Sequence, residues 1–407
     1  MRCHLVAVLL GSLCWGLSAG FSAAGSPECG PGTIDQAIPG SIGSLPPVGG
    51  ITQPTSPGNR LYSELEGLLW WLKPAQLPVL ATSNDALLGI PPGALGQPGT
   101  VPLISGRTGT DMTAGARALL GYWLDDEEQL GIEASYFFLA QTSTSRQISS
   151  PGGLLGTPTI FRPFDDVVLG TPNAQFIAGP GLAGGLQVDL AQRMMGAEAL
   201  VRSRLLNQCE WRVDALGGFR FLALDENLDI RSRSIDPLGF APTILEYESF
   251  AARNRFYGAE VGAEAQWQYG RLGFRTTGKL GLGVMNQVMQ IRGSSLVSDP
   301  LTGQQESGAT SLFAQSTNIG RYSRNQLAFI PEIGVTANYR LTDCLNLSVG
   351  YTFLWISSVA RPDRAIDFQT TVATIGAAPA GAPHPAFTFH DDSFWAQGIR
   401  LGIELSY

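Results

Sequence analysis

The residues best equipped for chemistry are His384 and His390, which share one segment with Asp391 and Asp392. A histidine beside carboxylates can activate water, so this segment would suit a hydrolase centred on His390 at the rim of a larger structure. Its companions are missing: no G-x-S-x-G, H-E-x-x-H or P-loop run occurs, and the only other histidine is His4. Loop polarity accounts for the His-Asp-Asp run more simply. The glycine-rich run Gly179 to Gly185 resembles a phosphate cradle in composition but leads into no helix. Cys3, Cys14, Cys29, Cys209 and Cys344 are too scattered for a disulfide framework or a zinc site. The acidic clusters Asp125 to Glu128 and Asp225, Glu226, Asp229 read as solvated rim charge, with Ca²⁺ a distant second. No catalytic residue, metal or cofactor is expected, and the chain is not read as an enzyme.

A larger set of charged residues is patterned. Glu64, Glu66, Arg117, Glu133, Glu198, Arg202, Arg212, Asp214, Arg220, Glu260, Glu264, Arg275, Lys279, Glu332, Arg340, Arg400 and Glu404 stand at positions alternating with apolar or aromatic residues. Period two places the two chemistries on opposite faces of strands. Ten strands are predicted, over residues 61–71, 112–124, 130–142, 195–204, 211–221, 257–269, 272–284, 327–341, 345–355 and 393–407. In the fourth the alternation slips upstream, near Leu190, as a bulge would make it.

Residues 1–24 read as a secretory signal, with Arg2 ahead of an apolar run and Ser22-Ala23-Ala24 as the cleavage site. A lipoprotein cut at Cys14 is the rival, disfavoured by the bulky Leu13 before it. Residues 25–60, dense in Pro, Gly and Ser, read as a flexible segment. Residues 61–407 form the strand-rich domain. Of 407 residues only 15% are charged while 44% are hydrophobic, too apolar for disorder. A net charge of −8 without a basic cluster excludes nucleic acid as a partner. Past the signal no apolar run reaches about 18 residues, so any membrane span must be built from strands.

The connections alternate. Those near residues 125–129, 205–209, 269–271 and 342–344 are tight, whereas the other five gaps are several times longer. Short turns on one rim and long loops on the other describe an outer-membrane barrel, with both termini on the periplasmic side. The apolar faces carry aromatics near both strand ends, at Tyr257, Trp267, Tyr269, Phe329, Tyr339, Trp355, Trp395 and Tyr407, with aliphatic residues between. Paired belts of this kind mark two membrane interfaces. The predicted fold is therefore all-β: a closed antiparallel transmembrane barrel of ten strands, or twelve if residues 159–164 and 174–178 supply another pair. Its partners would be outer-membrane lipid and, through the C-terminal strand, the barrel-assembly machinery.

Several stretches, "LEGLLWWLKPAQLPVL" from Leu65, "PGALGQPGT" from Pro92, "LGYWLDDEEQLGIEASYFFL" from Leu120, "FRPFDD" from Phe161 and "DALGGFRFLALDENLDI" from Asp214, are similar to the β-barrel porin-7 family of planctomycete bacteria. The resemblance covers essentially all of the chain past the signal and implies an outer-membrane barrel. It carries over no catalytic or binding residue.

Ten strands enclose a narrow lumen, far short of the 16 to 18 of open porins. The mixed charges on the inward face then have two readings. They are ion pairs holding neighbouring strands in register, Glu264 with Arg275 for example, or they line a thin aqueous pore. Function is read first as passive solute diffusion, with a non-conducting, structural or surface-binding barrel as the alternative and a rim hydrolase as the third reading.

Overall fold

The computed structural model describes residues 60–153, 156–208, 210–342, 344–370 and 383–406. The expected signal, the segment up to residue 59, Cys209 and Tyr407 lie outside the described residues. The strands in chain order are β1 (Leu61–Leu72), β2 (Ala75–Ser83), β3 (Val101–Thr108), β4 (Met112–Trp123), β5 (Leu130–Ser150), β6 (Ile160–Asp166), β7 (Thr171–Ala178), β8 (Ala183–Asn207), β9 (Trp211–Ile235), β10 (Thr243–Tyr269), β11 (Leu272–Ser298), β12 (Gln305–Gly308), β13 (Gly320–Arg340), β14 (Leu345–Val359), β15 (Gln369–Thr370) and β16 (Asp392–Ser406). Among the described residues the only helix is one 3-10 turn, Pro362–Arg364, and no helix is long and apolar enough to cross a membrane.

Ten strands form a ring. β1, β4, β5, β8, β9, β10, β11, β13, β14 and β16 each pair antiparallel with the next, and β16 pairs back with β1 from Tyr62↔Ser406 to Leu72↔Ala396. These are the ten predicted strands. The candidate extra pair is present as β6 and β7, but outside the ring. β6 belongs to a second sheet, in the order β15-β6-β2-β3, with β7 on its flank. Nearly every residue of β6 is buried, because this sheet packs inside the ring. Leu77, Leu80, Ala81 and Phe164 share one core with Leu186 and Val188 of β8, Leu228 and Ile230 of β9, Phe250 of β10 and Met289 of β11.

The long loops expected on the far rim are mostly strand. β9 has 25 residues and β10 and β11 have 27 each, more than twice the stretch over which their apolar alternation holds. The reason is an inversion of polarity along each strand. On β9 the even residues face inward throughout, beginning with Arg212, Asp214 and Arg220 and continuing with Leu222, Leu224, Leu228 and Ile230. Its outward residues begin as Trp211, Val213, Phe219 and Phe221 and continue as Asp225, Asn227, Asp229, Arg231 and Arg233. Near the turns the ring is polar inside and apolar outside; beyond that it has an apolar core and a wetted exterior.

The same inversion explains the apparent slip on β8. Gln192, Leu190, Val188 and Leu186 keep the inward parity of Glu198 and Arg202, and the register to β9 runs unbroken through them. The bulge lies instead on the neighbour β5, between Leu139 and Thr142. Leu190 is an inward residue of the apolar half, with no change of face.

Candidate functional site: the charged lumen and its apolar seal

At the turn end, the inward side chains of the ring assemble around two arginines. Arg202 of β8 meets Glu133 of β5 at 2.7 Å, Asp214 of β9 at 2.6 Å and Glu264 of β10 at 2.8 Å. Arg220 of β9 meets Glu198 at 2.5 Å and Glu260 at 2.9 Å, and its Nη2 also contacts Glu332 of β13. Lys279 of β11 reaches Glu198 at 2.6 Å, Arg275 of β11 reaches Glu64 of β1 at 3.0 Å, and Arg400 of β16 reaches Glu66 at 2.9 Å. Arg117 of β4 sits between Glu66 and Glu198 at 3.9 and 3.8 Å. Arg212 holds Asp214 at 3.0 Å nearer the rim.

Several of these pairs join strands that are not neighbours. Arg220 to Glu332, Lys279 to Glu198 and Arg275 to Glu64 cross the interior of the ring. The expected neighbour pair of Glu264 with Arg275 is replaced: Glu264 goes to Arg202 and Arg275 to Glu64. A long arginine in a narrow lumen reaches the far wall as easily as the adjacent strand, so register does not dictate its partner. Arg340 and Glu404 have no ion pair among the described residues and line a small cavity of about 40 Å³ with Gln266, Gln268 and Asn338. A second cavity in the lumen, among Tyr62, Glu64, Glu133, Arg202 and Glu264, measures about 100 Å³, room for a few waters.

Above the charges the ring is dry. Leu68, Trp70, Phe137, Leu139, Met194, Leu222, Phe256, Met285, Ile330, Leu354, Ile356 and Phe394 form one cluster, each no more than 7% exposed, contributed by nine of the ten ring strands. Phe137 lies against Trp70 with ring centroids 5.7 Å apart. Its ring lies against Gly196, where a Cβ would come within 2.3 Å of it, so only glycine leaves room for the ring there.

A third layer covers this disc. Arg361, just after β14, hydrogen-bonds both Glu226 carboxylate oxygens at 2.8 and 3.1 Å, and donates to the carbonyls of Pro74 and Lys73 at 2.9 and 3.2 Å. Burial works against the Arg361 charge, but the adjacent Glu226 carboxylate more than offsets it and raises its pKa. Asn254 of β10 clasps Ala360 by two hydrogen bonds, 2.8 and 2.9 Å. Arg162 of β6 pairs with Glu248 of β10 at 2.6 Å, both fully buried. Glu226, expected among the solvated rim charges, is thus an inward residue of the seal. Its parity, shared with Leu222, Leu224 and Leu228, was the available signal. Its partner Arg361 lies 135 residues away with no local pattern to mark it.

Among the described residues, His384, Asp391 and Asp392 of the His-Asp segment are engaged with partners outside it. His384 Nδ1 lies 2.9 Å from Asp367, which also accepts the Ala386 N–H at 2.8 Å, so the pair braces a loop. Asp391 pairs with Arg324 and Asp392 with Lys73, and neither carboxylate is turned to His390 by a hydrogen bond.

Outside, every ring strand presents an exposed apolar residue: Leu65, Leu120, Ile132, Val201, Phe219, Val261, Leu282, Ile333, Val349 and Leu401 are each 47% to 56% exposed. Aromatic rings bound this band. Trp211, Trp267, Tyr269 and Phe274 cluster at the turn end, with Tyr339 in register beside Leu272. Phe221 with Tyr257, and Phe329 with Trp355 beside Trp395, mark the other edge.

A family model described as "Putative beta barrel porin-7" matches residues 62–407. The chain belongs to that family. No curated protein matches it. Among solved structures it is similar to the outer-membrane protease OmpT of Escherichia coli, at 9% identity and a TM-score of 0.42, over 88% of this chain and 100% of that one. It is also similar to a FadL homologue of Pseudomonas aeruginosa, at 8% identity and a TM-score of 0.23 over 86% and 90% of the two chains. An anion-selective porin from Comamonas acidovorans aligns at 8% identity and a TM-score of 0.16 over 85% and 98%.

Proposed function

We propose that this family member is an outer-membrane barrel of porin type whose lumen is closed at the level of the outer leaflet. Membership of a β-barrel porin family supports the membrane location, and so does the apolar band, since soluble proteins rarely expose a continuous patch of that size. Ten residues separate Tyr257 from Trp267 and Phe329 from Tyr339. On a strand tilted about 40° that spans roughly 25 Å, the height of the apolar band of such barrels.

The observation that carries the closure is the buried apolar disc over the charged lumen. An ion entering from the turn end would meet paired charges and then hydrocarbon, with no wetted path beyond among the described residues. Solute passage would require the segment pinned by Arg361 and Glu226 to leave the mouth. The strand extensions and inner sheet then form a rigid body on the cell surface, which favours a surface-binding role as the second reading. Proteoliposomes containing the chain should not swell in isotonic arabinose. Rapid swelling would refute the closed state, and failure of the chain to enter the bilayer would refute the membrane reading.

A further inference from the structure

Just beyond the outer aromatic edge, the exterior of the ring carries charges that neither the lumen nor its seal uses. Arg193 of β8, Asp225 of β9 and Arg253 of β10 stand side by side, in register as Arg193↔Asp225 and Arg253↔Asp225. Strands lie about 4.8 Å apart, so the two arginines flank the carboxylate with their Cα atoms about 10 Å from each other. Asp225 is already occupied. Arg255, one outward position nearer the aromatics, grips it through Nη1 to Oδ1 at 2.8 Å and Nη2 to Oδ2 at 2.9 Å. Arg193 and Arg253 are both exposed, and their side chains have no ion pair or hydrogen bond among the described residues. The cluster therefore holds three positive charges against one negative, with two guanidinium groups free.

Its surroundings identify what would use them. On the same face toward the turns, Phe221 and Tyr257 stand in register with ring centroids 5.2 Å apart, followed by exposed Phe219 and Val261. Free cations thus sit at the head of an apolar track, at the height where the aromatics place lipid headgroups. The charge is local to this side of the ring. The first outward residues past the aromatics on β11, β13 and β14 are the uncharged Asn286, Leu327 and Ser357.

We propose that Arg193 and Arg253, supported by Arg255 on Asp225, bind the phosphate of an anionic lipid headgroup, with the acyl chains lying along Phe221, Tyr257 and Val261. The site rests on the membrane reading above and adds to it a headgroup class and an address. Guanidinium groups suit it because their planar N–H forks match phosphate oxygens and shed water more readily than an ammonium. A zwitterionic headgroup would bring its own cation against the arginines. Free phosphate would gain nothing from the apolar track.

The test uses the full chain folded in neutral-detergent micelles, with phosphatidylglycerol and phosphatidylcholine as probes and retained lipid counted by native mass spectrometry. The unmodified chain should retain phosphatidylglycerol in preference to phosphatidylcholine. R193Q/R253Q should weaken that retention about tenfold or more, as expected for lost charge-assisted hydrogen bonds. R233Q/R321Q, which removes two exposed arginines further from the aromatics, should leave it unchanged. Equal retention of both lipids, an unaffected R193Q/R253Q variant, or displacement by millimolar inorganic phosphate would each overturn the proposal. Folding is monitored separately by the shift in mobility on unheated gels. A chain that never enters micelles as a folded barrel overturns the membrane reading and the site with it, whereas a folded chain without lipid preference overturns the site alone.

Discussion

Arg202→Met removes the guanidinium on which Glu133, Asp214 and Glu264 converge at 2.6 to 2.8 Å, in a part of the lumen where all four side chains are at most 6% exposed. What remains is unequal. Asp214 keeps Arg212 at 3.0 Å, but Glu133 keeps only the Tyr62 hydroxyl, and Glu264 keeps the Gln266 amide and the Thr277 hydroxyl at 2.8 and 3.0 Å. Two buried carboxylates thus lose their only cation within 4 Å among the described residues. Removing one partner of a buried pair costs about 3–5 kcal/mol, so the folded-to-unfolded ratio at a fixed urea concentration should fall at least a hundredfold. The control is Arg231→Met on the outer face, where the arginine is 47% exposed beside Asp189 and the cost should be about 0–1 kcal/mol. Both are read as urea midpoints of the refolded chain in micelles, scored by the folded band on unheated gels. If Arg202→Met shifts the midpoint no more than Arg231→Met does, the lumen is solvated and the reasoning fails.

Arg placed at Val261 or Ile333, each in the middle of the apolar band, should cost about 2–4 kcal/mol in bilayers, while Arg at Asn325, beyond the outer aromatics, should be tolerated; equal damage at all three would mean the lipid face is misassigned. A cysteine at Ser307, exposed on β12, should react with an impermeant maleimide on whole cells, and one at Gly270 in the β10–β11 turn should not; the reverse labelling would invert the topology. Asp236 accepts the backbone N–H groups of Leu238, Phe240 and Ala241, and the first of these is the main cause that lowers its pKa. A depressed carboxylate stabilises its turn above the ordinary carboxylate pKa and loses that effect as pH falls through the lowered value, so exchange protection of those amides should drop only on acidification.

The part of this fold that was legible in the sequence is the part that meets lipid. On β10, Tyr257 to Tyr269 alternates strictly, because one face needs hydrocarbon and the other packs charge. The same strand from Thr243 to Phe256 has Phe250, Ala252 and Phe256 inward and Ser249, Arg253 and Arg255 outward. Reading along the chain, the apolar set changes parity, and a change of parity looks like a loop or a bulge. The inner sheet was harder still. β6 was legible only as a candidate for an extra ring pair, and β2, interrupted by Pro78 and with no regular alternation of burial, carries no period that marks it as a strand.

The charged residues were identified by type and face but not by partner. Glu64 and Arg275 are 211 residues apart in sequence and belong to strands that are not paired, so only the ring of strands brings them together. Arg361 stands in no strand at all, and nothing nearby in sequence announces that it will reach Glu226 across the mouth of the lumen.

Conductance in planar bilayers tests the closed lumen most directly. The unmodified chain, inserted and verified as folded, should give no steady current, whereas shortening the disc and releasing its cover together in Phe256→Ala/Arg361→Ala should produce openings. A large, stable, weakly selective current from the unmodified chain would contradict the account, because it requires a continuous wetted path through residues placed here in a dry core.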